Sequence, residues 1–172
     1  MSIQKIMPNN PSPLQRSYSL LQSFRFAGRG IRHALRRERN LRIHFSLAAY
    51  IFYFAVRYYH FSRTEYALLA VVMGLVIACE LLNTAVENAV DLGTSVYHPL
   101  AGIAKDTAAG AVLVSSVTAV AVGVLLLWDP SVFSLILPDM IKQLPIWLVL
   151  EALTLVWIFL PRQDGKNRPR KP

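Results

Sequence analysis

This sequence predicts an all-α membrane protein, and three observations carry the prediction: a basic amphipathic segment near the N-terminus, long apolar stretches behind it, and a stripe of carboxylates inside one of them. Of the 172 residues, 54% are hydrophobic, where an ordinary soluble domain has about 45 to 50%. Mean hydropathy is +0.39. The net charge of +8 asks for an anionic partner. Because the aromatic residues lie in the apolar runs and not among the basic ones, that partner is a membrane surface and not a nucleic acid. The single cysteine, Cys79, excludes an intrachain disulfide, and the four histidines are too scattered for a zinc site.

Residues 1–17 are polar, carry Pro8, Pro11 and Pro13, and lack the apolar core of a cleavable signal peptide, so they read as a disordered lead-in. From 18 to 41 the pattern becomes helical. Leu20, Phe24, Ala27, Ile31, Ala34 and Leu35 step along one face, and Arg25, Arg29, Arg32, Arg36 and Arg39 along another. Such a helix lies in the interface with its arginines among anionic headgroups. Glu38 is the only acid before Glu65 and stands among arginines.

Three apolar stretches follow, about 43–61, 66–92 and 107–128, each near or above the ~20 residues that cross a bilayer. Tyr50, Phe52, Tyr53, Phe54, Tyr58 and Tyr59 cluster at the far end of the first, as lipid anchors do. An extension, 129–161, then contains a short apolar run broken by Pro138 and a second run, 146–160, closed by Pro161. Nine Lys/Arg precede Ile43 and five follow Pro161, whereas Lys142 stands alone between Asp129 and Leu144. The positive-inside rule then sets both termini in the cytoplasm. An even number of crossings makes 146–160 a fourth span, with Glu151 turned to protein or water, and 162–172 a basic cytoplasmic tail.

Within the second span, Glu80, Thr84, Glu87 and Asp91 share a narrow arc at about 100° per residue. A charged group inside a span costs roughly 2.5 to 3.5 kcal/mol on insertion scales, so such a stripe faces a bundle interior, pairs, or binds something. The loop 92–106 falls on the same cytoplasmic side, where Asp106 or Thr107 could cap the third span and Lys105 could meet a phosphate. Glu38 and Glu87, from separate helices, could hold Mg²⁺, which takes few protein oxygens and completes its shell with water and nucleotide phosphates. Glu80, about two turns deeper, suits taking a proton from a lipid hydroxyl. No P-loop is present, and Gly28-Arg-Gly30 continues to His33 where a dinucleotide fingerprint needs glycine. The reaction so implied is phosphoryl transfer from nucleotide to lipid.

The runs Glu80-x-x-Asn83-Thr84-Ala-x-Glu87-x-x-x-Asp91 and His98-Pro-Leu-Ala-x-Ile-Ala-Lys105-Asp106, with Phe24-x-x-Ala27-x-x-Gly30-Ile-x-x-Ala34-Leu-x-x-Glu38-x-Asn40-x-Arg42-Ile-His44, resemble the prokaryotic diacylglycerol kinase family of small membrane lipid kinases. The likeness covers about Phe24 to Trp128, and Pro99 with the Asn40-x-Arg42-Ile-His44 run resembles the undecaprenol kinase branch more closely. It implies a kinase core over 18–128, with Glu80 as general base, Asn83 beside it at the lipid, and Glu38 and Glu87 as magnesium ligands that also meet ATP. It further implies ATP contacts at Val96, Tyr97, His98, Lys105 and Asp106, and at Phe26, where some members have tyrosine. A homotrimer with active sites shared between protomers, in the bacterial inner membrane with the site cytoplasmic, follows from the same resemblance, as does undecaprenol as acceptor with diacylglycerol the alternative. Read without the resemblance, the stripe also fits a proton- or cation-conducting bundle, or a structural subunit joined through Asn83, Thr84 and Asn88.

Overall fold

The computed structural model describes residues 19–93 and 98–159. The expected lead-in and basic tail lie outside the described residues, as do Val96 and Tyr97. Among the described residues the chain is helical and has no strand, in the order α1 (Leu20–Arg37), α2 (Arg39–Tyr58), α3 (Arg63–Gly93), α4 (Pro99–Leu127), α5 (Pro130–Lys142) and α6 (Leu144–Phe159). The chain divides into two compact units, Met1–Arg32 and His33–Pro172.

The first unit holds most of α1. Ser19 and Gln22 close its N-terminus reciprocally: the Ser19 hydroxyl accepts from the Gln22 amide at 3.3 Å, and the Gln22 side-chain oxygen accepts from the Ser19 amide at 3.1 Å. Leu20, Leu21 and Phe24 are exposed, an apolar face that suits the membrane interface. Arg29 places its guanidinium 4.6 Å from the Phe26 ring centroid, an attraction between cation and ring face.

In the second unit the basic helix stops short of Leu41. Glu38 takes an extended backbone (φ −98°, ψ 115°) and α2 starts at Arg39. Local propensity does not demand a break in Arg36-Arg37-Glu38-Arg39, since all of these favour helix. Ala34, Leu41 and Arg42, on either side of the break, are buried. α3 opens on Ser62 and Glu65, whose side chains cap each other's amides at 2.7 and 3.3 Å. One stripe of α3 is buried along its length: Leu69, Val72 and Val76 in the N-terminal half, then Glu80 and Thr84. The helical spacing that groups the carboxylates therefore continues as the apolar core.

By length and composition α3 and α4 can cross a membrane, and α5 with α6 counts as a third crossing only if the pair, bent by 89°, is one broken span. α2 coincides with the first expected span, but arginines at 39, 42 and 57 keep it outside that class. Alone, α6 is 16 residues, about 24 Å at 1.5 Å per residue. Pro138 does not break the run as expected: α5 continues through it to Lys142. Asp129 caps α5, accepting from the Ser131 amide at 2.9 Å and the Ser131 hydroxyl at 2.6 Å. These bonds, the hydroxyl's first, hold its carboxyl below the ordinary aspartate value.

The extension docks on α2 and thereby corrects the reading as lipid anchors for Tyr50, Tyr53, Phe54 and Tyr58, while Phe52 stays exposed. The Trp147 ring stacks on Phe54 at 5.4 Å and 15°, Tyr50 and Thr154 share a hydrogen bond of 2.8 Å, and the Tyr58 hydroxyl donates to Asp139 at 3.1 Å. Arg42, only 5% exposed, donates to the Trp157 carbonyl at 2.9 Å near the end of α6, where a cation meets the negative end of the helix dipole.

Candidate functional site

Glu80 lies halfway along α3 and is 3% exposed. Its carboxylate faces the His44 imidazole of α2, with Nε2 and Oε1 3.4 Å apart. The Thr84 hydroxyl, one turn on, returns a bond to the Glu80 carbonyl at 3.0 Å, which leaves the Glu80 side chain to its partner on the other helix. Closer to the C-terminal end of α3, the Asn83 amide nitrogen donates to Glu87 Oε1 at 3.0 Å. The Asn83 side-chain oxygen is buried and has no hydrogen-bond partner among the described residues, an acceptor in place for a hydroxyl from outside the chain.

Two tertiary bonds tie Arg37, next to Glu38, and Lys105 to the C-terminal part of α3. Arg37 donates to the Asn88 side chain at 3.4 Å and so draws the α1–α2 junction, with half-buried Glu38, to α3 one residue beyond Glu87. Lys105 holds Asp91 at 2.6 Å, fixing α4 antiparallel to α3. The expected cap at Asp106 or Thr107 is corrected by the structure: α4 begins at Pro99, and His98 is its cap, with Nδ1 accepting from the Leu100 amide at 3.3 Å. Proline at the first helical position has no amide to satisfy, which favours the earlier start. Lys105 and Asp106 therefore stand within the helix, Asp106 exposed. Phe26 lies in the first unit.

Among the described residues no three His, Cys, Asp or Glu side chains gather into a metal cage. The pair Glu38 and Glu87 still suits Mg²⁺, since both are half-buried carboxylates and that ion is bound through one or two carboxylates with water and phosphate filling the rest. Sequence reasoning singled out Glu80 and quoted His44 only as the last residue of the Asn40-x-Arg42-Ile-His44 run, without pairing the two, which lie 36 positions apart.

The family model for prokaryotic diacylglycerol kinase matches residues 25–127. A diacylglycerol kinase of Synechocystis is 49% identical over 115 residues, which are 65% of this chain and 64% of that protein. The undecaprenol kinase of Bacillus subtilis is 42% identical over 107 residues, 61% of this chain and 85% of that protein. The diacylglycerol kinase of Escherichia coli K12 is 44% identical over 66 residues, 38% of this chain and 53% of that protein. The chain thus spans less than two thirds of the Synechocystis and E. coli relatives. No solved structure matches it. With the family model covering more than half of the chain, from the basic helix through the end of α4, this protein belongs to the prokaryotic diacylglycerol kinase family.

Proposed function

We propose that the protein is a membrane lipid kinase that transfers the γ-phosphate of ATP to the hydroxyl of a lipid alcohol, with undecaprenol preferred and diacylglycerol the alternative. The observation that carries this reading is the buried Glu80 carboxylate held against His44 in an apolar helix. A base in such a place serves an acceptor that reaches it from the membrane. Coverage of 85% of the undecaprenol kinase of Bacillus subtilis supports the preferred acceptor.

In this mechanism Glu80 accepts the single hydroxyl proton of the alcohol and takes it, and Asn83 stands beside it at the lipid. The alcohol oxygen forms a bond to the γ-phosphorus while the bond from that phosphorus to the bridging oxygen breaks, and ADP leaves with the electron pair. His44 keeps the Glu80 carboxylate directed across the helix pair. Glu38 and Glu87 hold Mg²⁺, which when bound neutralises charge on the terminal phosphates. Lys105 and Asp106, with His98, Val96, Tyr97 and Phe26, serve the nucleotide, and the active unit is a homotrimer with shared sites on the cytoplasmic side of the inner membrane.

The test is transfer of labelled γ-phosphate from Mg·ATP by the full chain in bilayers, with undecaprenol and diacylglycerol offered together. Faster labelling of undecaprenol is expected. A diacylglycerol preference reverses the choice of acceptor. Labelling of neither removes the kinase reading and leaves an ion-conducting bundle, for which Glu80, Glu87 and Asp91 on one stripe would be the relay.

A further inference from the structure

α6 carries a single charged residue, Glu151, in a sequence that is otherwise apolar but for Thr154. The packing of the extension on α2 fixes the depth of that carboxylate. As α2 is followed backwards, Tyr58 meets Asp139, Phe54 meets Trp147, Tyr50 meets Thr154 and Arg42 meets the Trp157 carbonyl, so α6 runs antiparallel to α2. Glu151, between Trp147 and Thr154, is level with the middle of that helix. The charged residues toward the two ends of α2, Arg42 and Arg57, are fifteen positions apart, about 22 Å along the axis. Glu151 therefore stands well inside the first expected span, at the depth where an ionised group is most costly.

Among the described residues nothing offsets that cost: Glu151 is exposed and has neither a hydrogen-bond nor an ion-pair partner. Its short stem does not carry the carboxylate out to the headgroups, as the longer stems of lysine and arginine do. The residue stands in a row of exposed leucines. Leu144, Leu148, Glu151 and Leu155 follow one another at spacings of four, three and four, and all three leucines are exposed. That spacing is the seam by which one helix packs along another, and a single polar residue in such a seam selects the partner and its register.

We propose that this seam docks a membrane-spanning helix of another protein, one that carries a lysine or arginine at the depth of Glu151. Charge complementarity sets the class of partner. A basic side chain in mid-span is costly alone, as the carboxylate is, and pairing satisfies both. A second copy of this chain does not fit. Its charge pattern gives it the same orientation in the membrane, so its side chains stand at the same depths. Its Lys and Arg residues within 43–159 are Arg57, Arg63, Lys105 and Lys142. Arg57, Arg63 and Lys142 stand at helix ends, and Lys105 is held by Asp91, two residues before the end of α3. No cation of a second copy thus reaches mid-depth. The seam lies wholly in the extension, beyond the residues that the family model matches, and uses none of the groups assigned to phosphoryl transfer.

The test uses the full chain in phosphatidylcholine vesicles and a defined probe: an alanine–leucine helix long enough to span the bilayer, with one central lysine, compared with the same helix carrying a central leucine. Energy transfer from labelled protein to labelled peptide reads their association. The lysine peptide should bind about tenfold more tightly, and moving its lysine two turns from the centre should remove the preference. Glu151→Leu should abolish it, whereas Leu148→Ala should weaken both peptides alike. Equal association of the two peptides, or a lysine preference that survives Glu151→Leu, overturns the proposal. A second measurement needs no peptide. The thermal midpoint of Glu151→Leu in detergent micelles should equal or exceed that of the wild type, because an uncompensated carboxylate has gone. A lowered midpoint shows that Glu151 serves the fold of its own chain, and overturns the docking seam. Disulfide linkage between copies through Leu148→Cys in a Cys79→Ser background shows that a second copy fills the seam and also overturns it.

Discussion

At 3% exposure, the Glu80 carboxylate needs both its partner and its place. Removing the charge while keeping the shape separates chemistry from packing: Glu80→Gln should cut kcat by about a hundredfold to ten-thousandfold, as the loss of a general base does. Binding of Mg·ATP, followed by fluorescence of a labelled nucleotide, should survive it. Glu87→Gln should show the opposite balance, weakening Mg·ATP binding about tenfold because one of two carboxylate ligands becomes a neutral amide. A conducting bundle predicts no difference in nucleotide binding for either variant. Glu80, Glu87 and Asp91 were legible as a stripe because helical spacing is local information. The pairing of Glu80 with His44 was not, because one sequence without its tertiary contacts has no means of joining positions 44 and 80.

The extension shows the same division at the level of elements. Its apolar content and flanking prolines were readable, but the structure turns the run into two helices, α5 and α6, and lays α6 along the aromatic face of α2. What fixes α6 is a bond between residues 115 positions apart, from Arg42 to the Trp157 carbonyl, which no periodicity can signal. Arg42 is one turn from Glu38, so the end of α6 also holds the start of α2, where a proposed metal ligand caps the helix. Arg42→Ala should lower stability by about 2 kcal/mol, the usual range for a bond from a charged donor, measured as the thermal midpoint in detergent micelles. Deleting α6 should weaken Mg·ATP binding through Glu38 as well. Asp129 permits a prediction with a definite sign. Its carboxyl is held below the ordinary value by Ser131, so its cap is fully present above the unfolded value and is lost as pH falls through the folded one. Asp129→Asn should therefore flatten the acid limb of the stability profile and leave the neutral range nearly unchanged.

For the whole molecule, the decisive question is which chain supplies the base to the phosphate. Glu87 sits in the C-terminal part of α3, next to the residue that bonds Arg37 beside Glu38, and Glu80 lies seven residues before it, about 10 Å along the axis, whereas reacting atoms must come within about 3 to 3.5 Å. Part of that separation is spanned by the triphosphate and the lipid headgroup. A closed ring of copies, in which each chain offers its base to the nucleotide held by the next, removes the rest, and that arrangement underlies the proposed trimer with shared sites. Glu38→Gln and Glu80→Gln chains, each inactive alone, then complement one another when mixed. In a mixed trimer one site of the three pairs an intact metal ligand with an intact base, so recovery should approach roughly a third of wild-type activity. Mixed oligomers must first be isolated through two different affinity tags. If such oligomers stay at the residual rate of the single variants, ligand and base come from one chain, and the bond from Arg37 to Asn88, which already draws Glu38 toward Glu87 within a protomer, becomes the contact that assembles the site.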